Sequence, residues 1–283
     1  MIFGLGAAFA WGSADFGVAL VARRIGSFAT LVLAQLAGIV LFSLLAATPA
    51  ASLPRFHPGL LILPVIGISG ALSYVAFYRA LELGPIALVS PIAAGYAAIV
   101  IALSLIFLHE HVAALALLGA AVTIVGVILA STDLRKLPVE GRQGKGGVFF
   151  ALLALVGFGL GAFLIGVFAR DSGWFGTIYL SRLGSAATLA VILAATGTRR
   201  LRTAGLGSIV PALLIGVLDI GGFALYARGA EVGRVSITAA SSVIYPLIPI
   251  LVGVAYLRER PATNQWAGVA AGGAGMVLLA VGR

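Results

Sequence analysis

Apolar runs of about 20 residues, the length that carries a helix across a bilayer core, follow one another along this chain with only short breaks at charged residues, Pro and Gly. Ten such runs are found, at 2–22, 28–47, 59–80, 86–108, 112–130, 147–169, 174–195, 207–229, 235–257 and 263–282. One polar stretch of any length interrupts them, STDLRKLPVEGRQGKG at 131–146, between the fifth run and the sixth. The pattern predicts an all-α integral membrane protein. Its expected organisation is a first five-helix repeat at 1–130, a polar linker at 131–146 and a second five-helix repeat at 147–283.

The two halves are copies. FYRALELG at 77–84 returns as YARGAEVG at 226–233, so that Arg79, Glu82 and Gly84 meet Arg228, Glu231 and Gly233. At the same shift Tyr96 meets Tyr245, Glu110 meets Glu259, Gly119 meets Gly268 and Gly126 meets Gly275. Earlier in the repeat, Gly12 meets Gly159, Phe16 meets Phe163, Arg23 meets Arg170 and Gln35 meets Arg182. Because each unit has an odd number of spans, the second enters the membrane from the opposite side. The halves are then inverted repeats related by a pseudo-twofold axis in the membrane plane, an architecture of transporters that bind cargo at the midplane and expose it to each side in turn. Arg79/Glu82 and Arg228/Glu231 mark equivalent helix ends on opposite faces. Each pair reads either as a surface ion pair before a glycine helix stop or as a gating contact.

Composition agrees with a membrane chain: 61% of residues are hydrophobic and 10% charged, against roughly 45–50% and about 25% in soluble domains. Residues 2–22 are too long for the apolar core of a cleavable signal and contain Asp15. The formal charge of +9 comes from basic residues that punctuate the spans, so nucleic acid is not an expected partner. Cysteine is absent, which removes disulfides and thiol chemistry. No metal or other cofactor is expected: His109-Glu110-His111 lacks ligand spacing on a helix, and GRQGKG lacks the spacing and the Ser/Thr of a phosphate-binding loop. Glu110 and Glu259 are expected in water at the starts of helices five and ten, stabilising the positive helix ends. Gly67-Ile-Ser69-Gly70 has the form of an intramembrane serine-protease nucleophile, but the histidines, His57, His109 and His111, all fall at span ends or in loops. An enzyme is therefore not expected. A passive channel is the remaining class, and cargo accumulation against a gradient separates it from a coupled carrier.

Charge near the bilayer centre costs about 2.5–3.5 kcal/mol or more, so every such residue needs a partner or a task. Asp15, Asp219, Arg182 and Gln35 fall within spans one, eight, seven and two. In one reading Arg182 and an aspartate form a structural pair. In the other, Asp15 or Asp219 is the proton-coupling site and Arg182 or Gln35 a cargo ligand, since desolvation disfavours the charged form of a carboxylic acid and lets it exchange a proton as access alternates. Tyr74 and Tyr78, four residues apart, share a helix face, as do Ser241 and Tyr245. With Trp11 and Tyr96 these are candidates for the wall of a cavity, against simple packing or, for Tyr78 and Tyr226 near span ends, an interfacial aromatic belt.

Ten spans in two repeats, Trp11-Gly12-Ser13 with its counterpart Phe158-Gly159, and Glu110 and Glu259 after spans four and nine resemble the EamA-type members of the drug/metabolite transporter superfamily. The chain departs from the family pattern at His109 and Arg258, where Gly usually precedes the Glu, and at Ala97, the counterpart of Pro246. The resemblance implies a secondary transporter of small metabolites, often outward, with a cavity between helices three, four, eight and nine and contributions from one and six. The expected activity is amino-acid export across the inner cell membrane by a monomer working by alternating access. A multidrug or quaternary-cation exporter of the same fold is the alternative. Orientation is read from charge: five basic residues lie at the face that holds the termini and twelve at the linker face, which places the linker in the cytoplasm.

Overall fold

The computed structural model describes residues 1–48, 51, 53–83, 89, 92–135, 145–196, 205–257 and 261–282. Among these, regular structure is helical: α1 Ile2–Ile25, α2 Ser27–Ala46, α3 Ile62–Leu83, α4 Tyr96–Phe107, α5 Ala114–Ser131, α6 Lys145–Ser172, α7 Trp174–Thr196, α8 Leu206–Val232, α9a Val235–Ser242, α9b Leu247–Leu257 and α10 Thr263–Val281. Within the described residues nine stretches are long and apolar enough to cross a membrane, and Ile92–Phe107 is a shorter apolar helix. The protein is an all-α, multi-pass membrane protein. The expected linker begins to fold earlier than its composition implies, with Lys145 and Gly146 already in α6; positions 136–144 lie outside the described residues.

The repeat is built into the turns. Gly26 (φ 88°) alone joins α1 to α2, and its counterpart Gly173 (φ 77°) alone joins α6 to α7. Helices reverse through one residue only by entering the left-handed region, which glycine reaches without steric cost. Both repeats thus use one device at one position.

Packing follows the pseudo-twofold. Helix α1 lies on α8 and α6 lies on α3; α2 lies on α8 and α7 lies on α3. Each statement is the other with the repeats exchanged. The most extensive contact, α5 on α10, is its own counterpart. There a Cβ at Gly126 would stand 2.8 Å from the Gly268 carbonyl oxygen, and one at Gly275 2.7 Å from that of Gly119. Two backbones can approach so closely only where both lack side chains, which in lipid gains dispersion contact without a hydrophobic drive.

Spans four and nine were expected as continuous helices over 86–108 and 235–257, and the structure corrects this. Between α9a and α9b, residues 243–246 form a turn in which Tyr245 N–H donates to the Ser242 carbonyl at 3.2 Å. Pro246 has no N–H to give that carbonyl, so the helix cannot run through. At the equivalent level of span four, Gly95 N–H bonds back three residues to the Ile92 carbonyl at 3.1 Å, the shorter repeat of a tight turn. Both breaks lie beside the repeat-related tyrosines, Tyr96 and Tyr245.

Candidate functional site

A cavity of about 150 Å³ lies between α1, α3, α6 and α8 at mid-span, reached also by Tyr96 and Tyr245 from spans four and nine. Its walls are aromatic and obey the repeat. Trp11 meets Phe223 edge-on with ring centres 5.0 Å apart, and the counterparts, Phe158 and Tyr74, meet edge-on at 5.0 Å. Trp11 also donates from its indole nitrogen to the Asp219 carbonyl oxygen at 3.2 Å, which fixes the ring in the wall. Tyr96 and Tyr245 line the same space, and the Tyr96 hydroxyl shares a 2.9 Å hydrogen bond with Ser242.

Shape is symmetric here but charge is not. Asp15 and Asp219 line the cavity opposite their repeat counterparts Ala162 and Gly70, which are neutral. Asp219 is paired: Arg182 Nη2 donates to its Oδ2 at 2.6 Å, Arg182 Nη1 donates to Gln35 Oε1, and the guanidinium carbon stands 4.6 Å from the Phe223 ring centre. The arginine side chain is 7% exposed and the aspartate 17%. Of the two readings of these buried charges, the structural pair therefore holds for Arg182 with Asp219. Asp15 differs. It is exposed, lines both the main cavity and an adjoining one formed with Val18, Thr30, Gln35, Tyr74, Tyr78 and Ile215, and has no ion-pair or hydrogen-bond partner among the described residues.

Most sequence-predicted residues converge. Trp11, Tyr96 and Tyr245 line the main cavity, Gln35 and Tyr78 the adjoining one, and Asp15, Tyr74 and Asp219 both. Arg182 supports the site from behind and lines neither. Ser241 does not join them: it is fully buried, donates to the Ile237 carbonyl at 2.8 Å and packs against Gly4 of α1. The break at 243–246 is the reason, because it rotates Tyr245 away from the face that carries Ser241. Tyr226 is likewise no belt residue; it is 1% exposed, beneath Trp11 at 5.9 Å. Phe158, Phe223 and Phe77 also line the cavity, and none of them was an expected wall residue. Helical spacing carried the signal, since Phe77 follows Tyr74 by three residues and Phe223 follows Asp219 by four.

At the span ends, Arg228 donates to Glu231 at 2.6 Å, the surface ion pair. The Glu82 side chain and Gly84 lie outside the described residues. Glu110 requires a correction. Its side chain is 5% exposed, and it does not cap its own helix: it accepts from Val235 N–H at 2.8 Å, Ser236 N–H at 3.1 Å, Ser236 Oγ at 2.5 Å and Arg170 Nη2 at 2.6 Å. The start of α9a exposes amide donors that no turn of helix precedes, and a carboxylate from the other repeat meets them more strongly than water at α5 would compete for it. Glu259 lies outside the described residues.

The model of the EamA-like transporter family matches residues 1–132 and 145–281. The chain belongs to the EamA-like transporter family. As a member it is a membrane transporter of the drug/metabolite type, not an enzyme. Its fold is shared with a solved protein described as "Crystal structure of protein", with a TM-score of 0.81 at 16% identity over 99% of this chain and 96% of that one. Among curated proteins none matches significantly. The two matched stretches leave residues 133–144 between them.

Proposed function

We propose that this protein is a secondary transporter that carries small solutes bearing a cationic ammonium group, by alternating access at the aromatic cavity, and that Asp15 receives that group. The observation that carries the reading is the unpartnered Asp15 carboxylate in a cavity whose other acid is already neutralised by Arg182. A cationic head finds there one ion-pair partner and the faces of Trp11, Tyr74, Phe158 and Phe223, which attract cations through the ring quadrupole. A cavity of about 150 Å³ takes a body about the size of benzene.

Amino acids, the cargo expected from the resemblance, fit if Arg182 exchanges Asp219 for the cargo carboxylate; simple amines and quaternary ammonium ions need no such exchange. Asp15 is also the proton-coupling residue, because an unpaired carboxylate can hold either a proton or the cargo cation. The carrier works as a monomer in the inner cell membrane, the two repeats supplying both walls of the site. Outward transport follows the family habit. Its energy comes from a gradient.

The test is a matched set of ligands titrated against purified protein in nanodiscs: phenethylamine, phenylalanine and 3-phenylpropionate, which share a ring and differ in charge. Phenethylamine is expected to bind, Asp15→Asn to abolish that binding, and 3-phenylpropionate not to bind. Binding of the acid equal to that of the amine refutes the proposal. Binding of phenylalanine that exceeds the amine and is lost in Arg182→Gln assigns the site to amino acids.

A further inference from the structure

The face that carries the termini is sealed beneath the cavity. Residues 235–243 are all buried, as are Ala97, Val100, Ala227 and Ala230 around them. Asp15 is nonetheless exposed, and the adjoining cavity with Val18, Thr30 and Ile215 continues from it along α1, α2 and α8 toward the linker face. Among the described residues, the structure is closed on one side of the cargo site and open on the other. For cargo to leave by the closed side, α9a must separate from the first repeat.

We propose that Glu110 is the latch that holds this side closed, and that release of its carboxylate from α9a is the step that opens it. Glu110 belongs to the first repeat, while each of its side-chain partners, Arg170, Val235 and Ser236, belongs to the second. Its carboxylate meets the first amides of α9a, and Arg170 meets the last carbonyls of the preceding helix: Nε donates to Ala230 O at 3.0 Å and Nη2 to Gly233 O at 2.7 Å. The ion pair therefore neutralises two helix ends of opposite partial charge, across the α8–α9a connection. Losing one acceptor unsettles every donor at once.

Three further observations fit a moving part here. His109, next to the latch, has φ 50°, a left-handed conformation that costs energy in a non-glycine residue and is held only where surroundings enforce it. The turn at 243–246 separates α9a from α9b, so the latched half can swing without dragging α9b. Between latch and cavity, the Tyr226 hydroxyl is buried with no hydrogen-bond partner among the described residues, a penalty of the closed state that water entering on opening removes. This inference rests on alternating access but on no particular cargo.

The chain has no cysteine, so a single introduced thiol reports access without background. Ala239→Cys, 0% exposed and one turn inside the latch, is reacted with a membrane-impermeant maleimide added from the face of the termini, in vesicles of one orientation, with no cargo present. Glu110→Ala and Glu110→Gln are each expected to raise the labelling rate at least tenfold, which corresponds to about 1.4 kcal/mol in the opening equilibrium, and Ser236→Ala by a smaller factor. Ala240→Cys, 1% exposed on the same half-helix, serves as a second reporter. Monodisperse elution and unchanged helical circular dichroism establish that each variant folds; if Glu110→Ala does not, Glu110→Gln decides. Unchanged labelling in a folded Glu110 variant overturns the latch, and so does an equal rise from both faces, which would mean loosening of the whole fold. Because no ligand is used, failure of the amine binding test leaves this result standing, and the reverse is also true.

Discussion

Replacing Asp219 with alanine should be the most damaging single change in the cavity, and the structure sets its size. Arg182 is 7% exposed and has two polar partners, Asp219 and Gln35. Removing the aspartate leaves a guanidinium in a low-dielectric interior with one neutral acceptor and an aromatic face. Breaking a buried pair from one side costs about 3–5 kcal/mol. Water entering the space beside Asp219, itself 17% exposed, puts the expectation near the lower end, about 3 kcal/mol. Asp219→Asn keeps an acceptor but not the charge and should cost about 1.5 kcal/mol. Arg182→Met strands the aspartate instead, at the edge of the cavity where water reaches it, so its cost should be smaller than that of Asp219→Ala. Arg182→Met with Asp219→Leu removes both charges and should recover most of the loss, because an ion pair replaced by apolar groups of similar volume is often neutral. Reversible unfolding in mixed detergent–SDS micelles, followed by circular dichroism, of the wild type, Arg182→Met, Asp219→Leu and the double variant gives the four free energies of a double-mutant cycle. An interaction energy of about 2 kcal/mol or more is expected. Additive costs would refute the argument, since they would mean that Arg182 and Asp219 do not depend on each other.

Asp15→Asn should abolish both proton-driven accumulation and amine exchange in proteoliposomes, because an amide can neither release a proton nor pair with the cargo cation; accumulation or exchange that survives at wild-type level assigns coupling and binding elsewhere. Gly126→Leu should destabilise the fold by about 3 kcal/mol or more through overpacking against Gly268, measured by the same SDS titration, whereas Gly273→Leu, exposed on α10 with open space around it, should be near neutral. Reporter fusions in the linker at 136–144 should be active only in the cytoplasm and fusions after Arg283 only outside, as the charge bias of twelve to five requires; the opposite result would also reverse which side of the membrane the cavity opens to.

The spans were legible because lipid leaves the backbone few choices: a run of apolar residues long enough to cross must be helical. The repeat was legible through its polar and glycine positions, and Gly12 with Gly159 and Gly126 with Gly275 proved to be matched contacts. What sequence could not show was the partner of each charge. Asp15 and Asp219 look alike in sequence, each one acid in an apolar run, yet Arg182 reaches only one of them, a matter of helix rotation and rotamer. Glu110 was misplaced for a related reason. Rules of helix capping weigh neighbours in the chain, and its carboxylate answers to amides 125 residues away. Ser241 failed through the break at 243–246: Pro246 was visible, but the face pattern was read straight through it.

The reciprocity of the packing has a use beyond stability. Where Gly67 on α3 abuts Ser181 on α7, Gly216 on α8 abuts Ala34 on α2, and these are the same contact drawn twice with the halves exchanged. A molecule of this kind stores its second conformation in its first. If the leading half took up the backbone path of the trailing half, and the trailing half that of the leading one, every such contact would be preserved as a type while the cavity would face the other way. Under the proposed alternating access, the two end states are then close to degenerate in energy by construction. What little bias exists must come from the positions where the two halves spell different residues, such as Asp15 against Ala162 and Gln35 against Arg182. Duplication thus accounts for the reversibility of the proposed alternating access, and divergence at a few sites for which of the two states is favoured.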